Sequence, residues 1–236
     1  MTVRRRPLPM AALMLNVGIR YYPVVGLLRR CGARTVLEVG SGDGGLAMFE
    51  PGRRVVGCDV RFHRPRPPLV PVAGAGNALP FRDAAFDAVI SLDTLEHVPP
   101  AGRAAFIAEL ARVGRQRLIL AVPCGRPARA IERLLDRWYA LLGISTPPWL
   151  VEHFQHRLPD RAAVEAAVAR LGRSYRVYGN ENVLVHLLVM MGESLDWLRP
   201  RLLRLAGERM DQTAAVFARL NLRPTYRLVV EVDLAG

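Results

Sequence analysis

Glycines and acids near the start of the sequence have the types and spacing of a ligand site. Glu38 is followed by Gly40, Gly42 and Gly44 at alternate positions, in the segment TVLEVGSGDGG. Closely spaced glycines let the backbone turn tightly and approach a ligand with no Cβ in the way. Asp59 ends the next apolar run, where a carboxylate can accept hydrogen bonds from a ribose. These residues predict a site for a cofactor that contains a nucleoside.

Acids and histidines further along the chain are candidates for proton transfer. Asp93 and His97 lie in LDTLEHV, and each is a candidate general base, because an imidazole titrates at about pH 6.5 and a carboxylate can accept a proton from a hydroxyl or amine. The alternative for Asp93 is a helix cap. His153 and His156, in VEHFQHRLP, are candidates for a substrate pocket or for packing. No Cys or Asp cluster accompanies them, so we expect no metal.

The glycines alone leave two classes of cofactor open. Gly40, Gly42 and Gly45 also spell G-x-G-x-x-G, the fingerprint of a dinucleotide-binding turn and therefore of hydride transfer. Read in the other phase, the same turn is E-x-G-x-G-x-G. Asp59 suits both classes, because an acid at the end of the second strand can bind a ribose in either. Other segments of the sequence are needed to distinguish the two classes.

Short apolar runs separated by helical segments must position these residues. Buried strands are predicted at residues 35–39, 53–60, 69–73, 86–92 and 117–122. Residues 46–49 and 101–113 have helical character. Strands that alternate with helices predict an α/β fold with a parallel, doubly wound sheet, which binds its ligands beyond the carboxyl ends of the strands.

The segment LPFRDAAFDAVISLDTLEHV, residues 79–98, separates the two cofactor classes. Together with VLEVGSGDGG and LILAVPCG, it resembles the class I S-adenosylmethionine-dependent methyltransferases. The resemblance covers residues 35–125 and implies a Rossmann-like, mostly parallel sheet of seven strands with helical additions. It also implies S-adenosylmethionine as the cofactor and makes the nicotinamide alternative the weaker one.

The resemblance also implies which residues contact the cofactor. These are Glu38, Gly40, Ser41, Gly42, Gly44, Asp59, Val60, Gly76, Asn77 and Leu92. Glu38 is expected near the amino group of the cofactor, or else as a carboxylate satisfied inside the turn. Asp59 is expected at the ribose diol or as a strand-end cap, with Val60 against the adenine. In this family the histidine of L-E-H-V, here His97, begins a helix and is commonly structural.

One position departs from the family pattern. Family members often have an aspartate four residues before the L-P-F, where it contacts the adenine amino group, whereas this chain has Ala75. Asn77 is the candidate substitute, and it could equally be a simple turn residue. The missing aspartate keeps a third alternative open, a cofactor-binding protein without transfer activity.

Composition bears on the partners of the protein. The chain has 236 residues and a net charge of +12, and all 33 of its basic residues are arginine, which indicates a compositional bias. We therefore expect a small-molecule acceptor (a saccharide, a lipid or a secondary metabolite) rather than nucleic acid. An RNA- or DNA-modifying methyltransferase is the alternative. VPPA, residues 98–101, does not match the N/D-P-P-Y/F motif of amino-directed base methylation.

The cysteines and the first residues of the chain indicate in which cellular compartment the protein is expected. Cys31, Cys58 and Cys124 form no C-x-x-C pair, which fits a reducing cytoplasm better than a secreted protein. Residues 4–6 are arginines, and the apolar run at residues 8–17 gives this stretch the look of a signal peptide. Asn16 interrupts the run, which is also too short to span a bilayer. We predict an amphipathic capping helix and a cytoplasmic protein.

The whole chain is predicted to form one domain. Residues 1–33 are a helical cap, 34–125 the cofactor-binding core, 126–158 a lid-like insert, and 159–236 the second half of the sheet with a helical insert at 184–220, broken at Pro200. The lid helix at 128–142 is amphipathic, with Ile131, Leu134, Leu135, Trp138 and Leu142 on one side. We expect the acceptor to bind these additions. VLVHLLVMM, residues 183–191, and Trp197 make peripheral membrane contact an alternative to packing.

Overall fold

The computed structural model describes residues 15–208 and 210–235. The arginines at residues 4–6 and most of the apolar run after them lie outside the described residues, as does the first part of the predicted cap. Seven strands form a single sheet. They are β1 (Thr35–Val39), β2 (Arg54–Asp59), β3 (Val70–Ala73), β4 (Phe86–Leu92), β5 (Gly114–Pro123), β6 (Tyr175–Asn182) and β7 (Thr225–Asp233).

The strand order is β3-β2-β1-β4-β5-β7-β6. Strands β1 to β5 pair in parallel, whereas β7 runs antiparallel to both β5 and β6. The predicted α/β, mostly parallel seven-stranded sheet is confirmed. The two strands of the C-terminal part thus extend the sheet that the first five strands begin.

Eight helices accompany the sheet within the described residues. They are α1 (Leu15–Arg30), α2 (Arg103–Val113), α3 (Gly125–Leu141), α4 (Pro148–His156), α5 (Arg161–Ala169), α6 (Val183–Glu193), α7 (Arg199–Glu208) and α8 (Met210–Arg219). Short 3₁₀ helices lie at Gly45–Met48, Leu95–His97 and Pro100–Gly102. The predicted helix at residues 46–49 is therefore this first single turn.

Hydrophobic clusters cover both faces of the sheet. Along β5, Leu118 and Leu120 join the cluster that includes α2 and α5, whereas Ile119 and Ala121 join the cluster that includes α1. Alternation of this kind follows from the two-residue period of a strand. Every residue of β4 is buried, as expected of a central strand covered on both faces. The carboxyl ends of the parallel strands are therefore held by a core on each side.

Two helix predictions need correction. In α3 the buried residues include Glu132 and Tyr139, while the predicted Leu134 is 45% exposed. The side chain of Glu132 is inside because it pairs with His153. The helical insert does not break at Pro200, which lies in the first turn of α7, where a proline is tolerated. The break comes earlier, in the turn at residues 194–198 between α6 and α7.

Candidate active site

The glycine-rich turn follows β1 and leads into the 3₁₀ helix Gly45–Met48. Gly40 has a φ of +81°, and a Cβ at this residue would lie 2.0 Å from Thr94 Oγ1. Gly42 has a φ of +55°, and apart from its chain neighbours no described atom lies within 4 Å of the place a Cβ would take. Gly40 is thus fixed by packing against Thr94, whereas Gly42 faces open space that a ligand can occupy.

Glu38 lies inside this turn. Its side chain is fully buried; Oε1 accepts a hydrogen bond of 2.6 Å from the Tyr21 hydroxyl, and Oε2 accepts one of 2.6 Å from the Leu46 N–H. Burial raises the pKa of Glu38 to about 6, although the two hydrogen bonds act in the opposite direction. Both oxygens accept hydrogen bonds from within the chain, which matches the alternative of a carboxylate satisfied inside the turn. Glu38 holds the turn in shape.

Asp59 closes β2 beside the turn. Its Oδ2 accepts a hydrogen bond of 2.9 Å from the Gly42 N–H, and its Oδ1 is 3.3 Å from the Arg61 N–H. The next residue, Val60, is 77% exposed although it is apolar. The structure therefore brings a carboxylate, an exposed apolar side chain and the open side of Gly42 together at the carboxyl ends of β1 and β2. This is the arrangement predicted for a bound nucleoside.

Ser41 and Gly44 are buried parts of the same turn. The Ser41 Oγ donates to the Gly42 carbonyl oxygen at 3.0 Å, and a Cβ on Gly57 of β2 would lie 2.4 Å from this Oγ. A Cβ at Gly44 would lie 2.3 Å from Met48 Sδ. Both residues shape the turn from within, and their side-chain positions face other parts of the protein.

Gly76, Asn77 and Leu92 border the same edge of the sheet but differ in exposure. A Cβ at Gly76 would lie 2.2 Å from the ring of Phe106, so this glycine lets α2 pack closely. Leu92 is 2% exposed and belongs to the core. Asn77 is exposed, in a turn closed by the bridge between Ala75 and Ala78. Among these three residues, Asn77 is the one with a side chain open to a ligand.

Asp93 follows β4 with a φ of +48° and is bonded to two arginines. Arg227 donates to Oδ1 from Nε at 2.8 Å and to Oδ2 from Nη2 at 2.7 Å, and Arg20 Nη1 donates to Oδ2 at 3.0 Å. Burial alone would raise the pKa of Asp93, but the charges of Arg227 and Arg20 outweigh it and hold the pKa well below its usual range. A carboxylate in this state is a poor general base. No side chain caps the following 3₁₀ helix, so the helix-cap interpretation is also wrong.

His97 ends the 3₁₀ helix Leu95–His97 and begins no longer helix. Its Nδ1 lies 2.5 Å from Glu152 Oε2 of α4, and its ring centroid is 4.8 Å from that of His153. Burial and the neighbouring His153 lower the pKa of His97, although Glu152 acts to raise it. The histidine therefore joins the loop after β4 to the lid helix α4.

His153 and His156, the candidates for a substrate pocket or for packing, have different surroundings. His153 is 4% exposed and its Nδ1 lies 2.8 Å from Glu132 Oε1, an atom that also accepts from the Tyr226 hydroxyl at 2.8 Å. The His156 side chain is only half-buried, and its backbone carbonyl accepts from Arg103 at 3.2 Å. Of the two, His153 is the one that takes part in a buried hydrogen-bond network.

Several partners in this site were missed by the sequence argument. Tyr21, Arg20 and Arg227 lie on α1 and β7, far along the chain from the loops they bind. Glu181, which accepts a hydrogen bond from Arg227 Nη1, lies near the end of β6. A charged residue inside an apolar strand, such as Arg227 in TYRLVVEVD, was the one signal available. Buried charges in such a place need a partner.

Comparison with known proteins identifies the family. Residues 37–122 match the family described as the methyltransferase domain. Residues 37–122 thus match a methyltransferase domain, in agreement with the predicted resemblance to the class I, S-adenosylmethionine-dependent methyltransferases. The family and cofactor predicted from the two sequence blocks are thereby confirmed. The match includes the glycine turn, Asp59 and the segment at residues 79–98.

Curated relatives of this methyltransferase are matched over a short stretch. An uncharacterized methyltransferase of Mycobacterium leprae is 42% identical over 76 residues, which make up 28% of this chain and 28% of the relative. The chain therefore aligns with little more than a quarter of the relative's length.

Solved methyltransferase structures share the fold. Magnesium protoporphyrin IX methyltransferase from Synechocystis PCC 6803, solved with bound S-adenosylhomocysteine, has a TM-score of 0.55 at 16% identity, covering 93% of this chain and 84% of that chain. Geranyl diphosphate C-methyltransferase from Streptomyces coelicolor A3(2) has a TM-score of 0.51 at 14% identity, covering 85% of this chain and 73% of the other. At such identities the likeness shows the fold.

A cavity of about 720 Å³ lies between α3 and α4, away from the glycine turn. Among its lining residues are the buried pair Glu132 and His153, and four arginines: Arg129, Arg133, Arg137 and Arg157. Neither the residues of the glycine turn nor Asp59 are among those that line this cavity. Among residues 15–208 and 210–235, no helix combines the length and apolar character needed to cross a bilayer.

Proposed function

We propose that this methyltransferase transfers the methyl group of S-adenosylmethionine to an oxygen or nitrogen of a small-molecule acceptor. When bound, the cofactor supplies a methyl group on a positively charged sulfur. The protein's part is then chiefly to bind and align the reactants. The observation that carries the proposal is the Asp59 carboxylate, bonded to the Gly42 N–H beside the exposed Val60.

Each of these groups has a definite part in the proposal. Asp59 keeps Oδ2 on the turn and presents Oδ1 to the ribose hydroxyls, because a carboxylate oxygen can accept more than one hydrogen bond. Val60 packs against the adenine. Gly42 lets the methionine end of the cofactor lie close to the backbone. Asn77 is the candidate for the adenine amino group in place of the aspartate that Ala75 replaces.

The acceptor is proposed to bind the helical additions of a single domain, at residues 126–158 and 184–220. A cavity of about 720 Å³ between α3 and α4 is within the usual range for small ligands, roughly 300–1,000 Å³. His153 lines this cavity and also packs on His97, in the loop after β4. His153 thus connects the wall of the cavity with the loop after β4. This position supports a small-molecule acceptor.

The alternative acceptor is a nucleic acid. Its support is the net charge of +12. The structure weakens this support, because many described arginines are paired with acids, as in the contacts of Arg112 with Asp83 and of Arg117 with Asp233. An arginine that is already paired contributes less to binding phosphates. A tight, structure-selective complex with RNA or DNA at physiological salt would make the nucleic-acid acceptor the better proposal.

Peripheral membrane contact through the helical insert is a further part of the proposal. Leu184 and Leu188 of α6 are 60% and 67% exposed, and Trp197 in the following turn is 65% exposed. The guanidinium of Arg201 lies 5.9 Å from the Trp197 ring centroid. Exposed apolar side chains, a tryptophan and arginines form the kind of surface that binds anionic membranes.

Calorimetry tests the cofactor part of the proposal. We expect the purified protein to bind S-adenosylmethionine and S-adenosylhomocysteine and not a nicotinamide dinucleotide. Incubation of metabolite extracts with labelled S-adenosylmethionine then identifies the acceptor by the label that it takes up. Binding without uptake by any extract would favour the alternative of a cofactor-binding protein without transfer activity.

A further inference from the structure

Glu96 has a buried carboxylate without a partner. It is fully buried, and neither of its oxygens has a hydrogen-bond donor among the described residues. His153 Nε2 lies 3.7 Å from Oε1, which is too long for a hydrogen bond. An ionised carboxylate in such a place is costly unless a cation compensates it.

His153 has a ring nitrogen that is likewise without a hydrogen-bond partner among the described residues. Its Nδ1 is engaged with Glu132, whereas its Nε2 is buried and has no hydrogen-bond partner within the described part of the chain. His97 lies beside it, also with Nδ1 held by a glutamate, Glu152. Each histidine therefore has one nitrogen fixed by a carboxylate and the other left to bind something else.

One ligand atom from each of Glu96, His97 and His153 lies within 4.8 Å of the other two. Two ligand atoms that are each about 2.1 Å from a tetrahedral ion are about 3.4 Å apart. A separation of 4.8 Å therefore has to shorten by about 1.4 Å when one ion is bound in this geometry. His97 and Glu152 are partly exposed, and α4 has room to adjust beside the cavity.

The surroundings match those of a metal site. Histidine ligands of metals almost always donate their second N–H to a carboxylate or carbonyl, which fixes the ring and its tautomer. Here Glu132 does this for His153 and is itself held by the Tyr226 hydroxyl at 2.8 Å. The chain from Tyr226 through Glu132 to His153 thus connects β7, α3 and α4 and orients a buried imidazole toward Glu96.

We propose that Glu96, His97 and His153 bind one divalent transition-metal ion. Two imidazoles and one carboxylate suit ions such as Zn²⁺, Mn²⁺ or Co²⁺, and three protein ligands leave coordination positions open. From the sequence we expected no metal, because no Cys or Asp cluster accompanies His153 and His156. The partner is Glu96, which the fold brings from the loop after β4. If the proposed function holds, the open positions serve an oxygen of the acceptor.

Metal binding by the full chain tests the site directly. Protein stripped with a chelator and dialysed is titrated separately with Zn²⁺, Mn²⁺ and Co²⁺ by calorimetry, and Co²⁺ is also followed by its visible absorption. We expect one ion per chain. Glu96→Gln and His153→Gln should weaken binding by at least about 100-fold. Glu132→Gln, which alters the support of His153 and the bond from Tyr226 but removes no ligand, should weaken it by about 10- to 100-fold.

His156→Gln is the matched control, because His156 lies in the same helix outside the group. We expect its metal affinity to stay within about twofold of the wild type. Metal should raise the melting temperature of the wild type and of His156→Gln but not of Glu96→Gln. Without metal, Glu96→Gln should melt at or above the wild-type temperature, because the unpaired carboxylate is gone.

Two results would overturn the site. One is a wild type that binds none of the three ions in the micromolar to millimolar range. The other is equal affinity in wild type and Glu96→Gln, which would place the ion elsewhere. Calorimetry with S-adenosylmethionine on the same samples separates this proposal from the proposed function. Cofactor binding without metal binding removes the site alone, and metal binding without cofactor binding removes the proposed function alone.

Discussion

Arg227 of β7 forms a two-pronged hydrogen-bonded ion pair with Asp93, the residue after β4. The two side chains are 2% and 12% exposed, and 134 residues separate them in the chain. Arg227 also donates to Glu181 near the end of β6. A single guanidinium therefore fixes the loop after β4, on which Glu96 and His97 lie, to the C-terminal strands.

Removing Asp93 should destabilise the protein. Loss of one partner from a buried ion pair leaves the other charge uncompensated, at a cost of about 3–5 kcal/mol. We expect Asp93→Ala to lower the free energy of unfolding in urea by this amount. Asp83→Ala is the control, because Asp83 pairs with Arg112 at the surface and is 79% exposed. Its effect should be within about 1 kcal/mol, and equal effects of the two substitutions would contradict the structural role of Asp93.

Asp59→Ala should weaken the binding of S-adenosylmethionine by about 1.5–3 kcal/mol, the range of a hydrogen bond to a charged group. Calorimetry measures this loss, and a thermal melt checks that the turn still folds without the bond to Gly42. Asp83→Ala again serves as the control, with unchanged affinity. Wild-type affinity in a folded Asp59→Ala protein would show that Asp59 does not bind the ribose of the cofactor.

Glu38 should make stability depend on pH in a defined direction. Because the folded protein raises the pKa of Glu38 to about 6, the folded state favours the neutral carboxyl. The stability it contributes is present below the ordinary pKa of about 4.3 and is lost as the pH rises through about 6. The loss is about 2 kcal/mol.

Comparison with Glu38→Gln isolates this contribution, because other titrating groups are shared by both proteins. The free energy of unfolding of each is measured at several pH values from acid to neutral. We expect the wild type to lose stability relative to Glu38→Gln as the pH rises. A constant difference between the two proteins across this range would show that the pKa of Glu38 is unchanged by folding.

The two glycines of the turn should differ when each is replaced by alanine. Both have positive φ, so each substitution costs about 1–2 kcal/mol. Gly40→Ala should cost more, because its Cβ would overlap the Thr94 side chain. Gly42→Ala should fold but bind S-adenosylmethionine more weakly, because its Cβ enters the open space assigned to the cofactor. Urea unfolding and calorimetry on both variants measure the two effects, and a reversed order in either would contradict the assignment.

The exposed face of the helical insert should bind anionic membranes. Flotation with anionic liposomes at low salt should carry the wild type upward, because apolar burial and arginine charge act together. A double variant, Leu188→Gln with Trp197→Ala, should stay at the bottom of the gradient. Leu141→Gln is the control, because Leu141 is 82% exposed at the end of α3. Wild-type protein that stays with the variant at the bottom would end the membrane proposal.

Local patterns predicted the frame of the fold well. Strand β4 was placed at its observed bounds, and β1 and β2 within one residue, because buried parallel strands are short apolar runs that their own residues define. The alternating pattern of residues 174–178 predicts a strand there, but β6 begins at Tyr175 and continues to Asn182. Its last residues are polar and are held in the sheet by pairing with β7, which no local pattern reports.

Contacts between distant residues account for what the sequence could not predict in the site. Glu38 was expected to face the cofactor, yet the Tyr21 hydroxyl from α1 engages it. The sequence makes Asp93 a candidate base, but in the structure Arg227 donates hydrogen bonds to both of its carboxylate oxygens. Ion pairs and buried hydrogen bonds have no periodicity along a chain, so the residue type indicates that a partner is needed but not which residue provides it.

The position of β7 between β5 and β6 has a consequence for how the protein is made on the ribosome. β6 is translated before β7 but has no strand beside it until β7 arrives, since β7 is its neighbour in the sheet. The half-made chain therefore exposes one edge of β5 and has Asp93 without the arginine from β7. Nascent chains stalled before residue 225 should be protease-sensitive in β6 and in the loop after β4, while β1 to β4 already resist digestion.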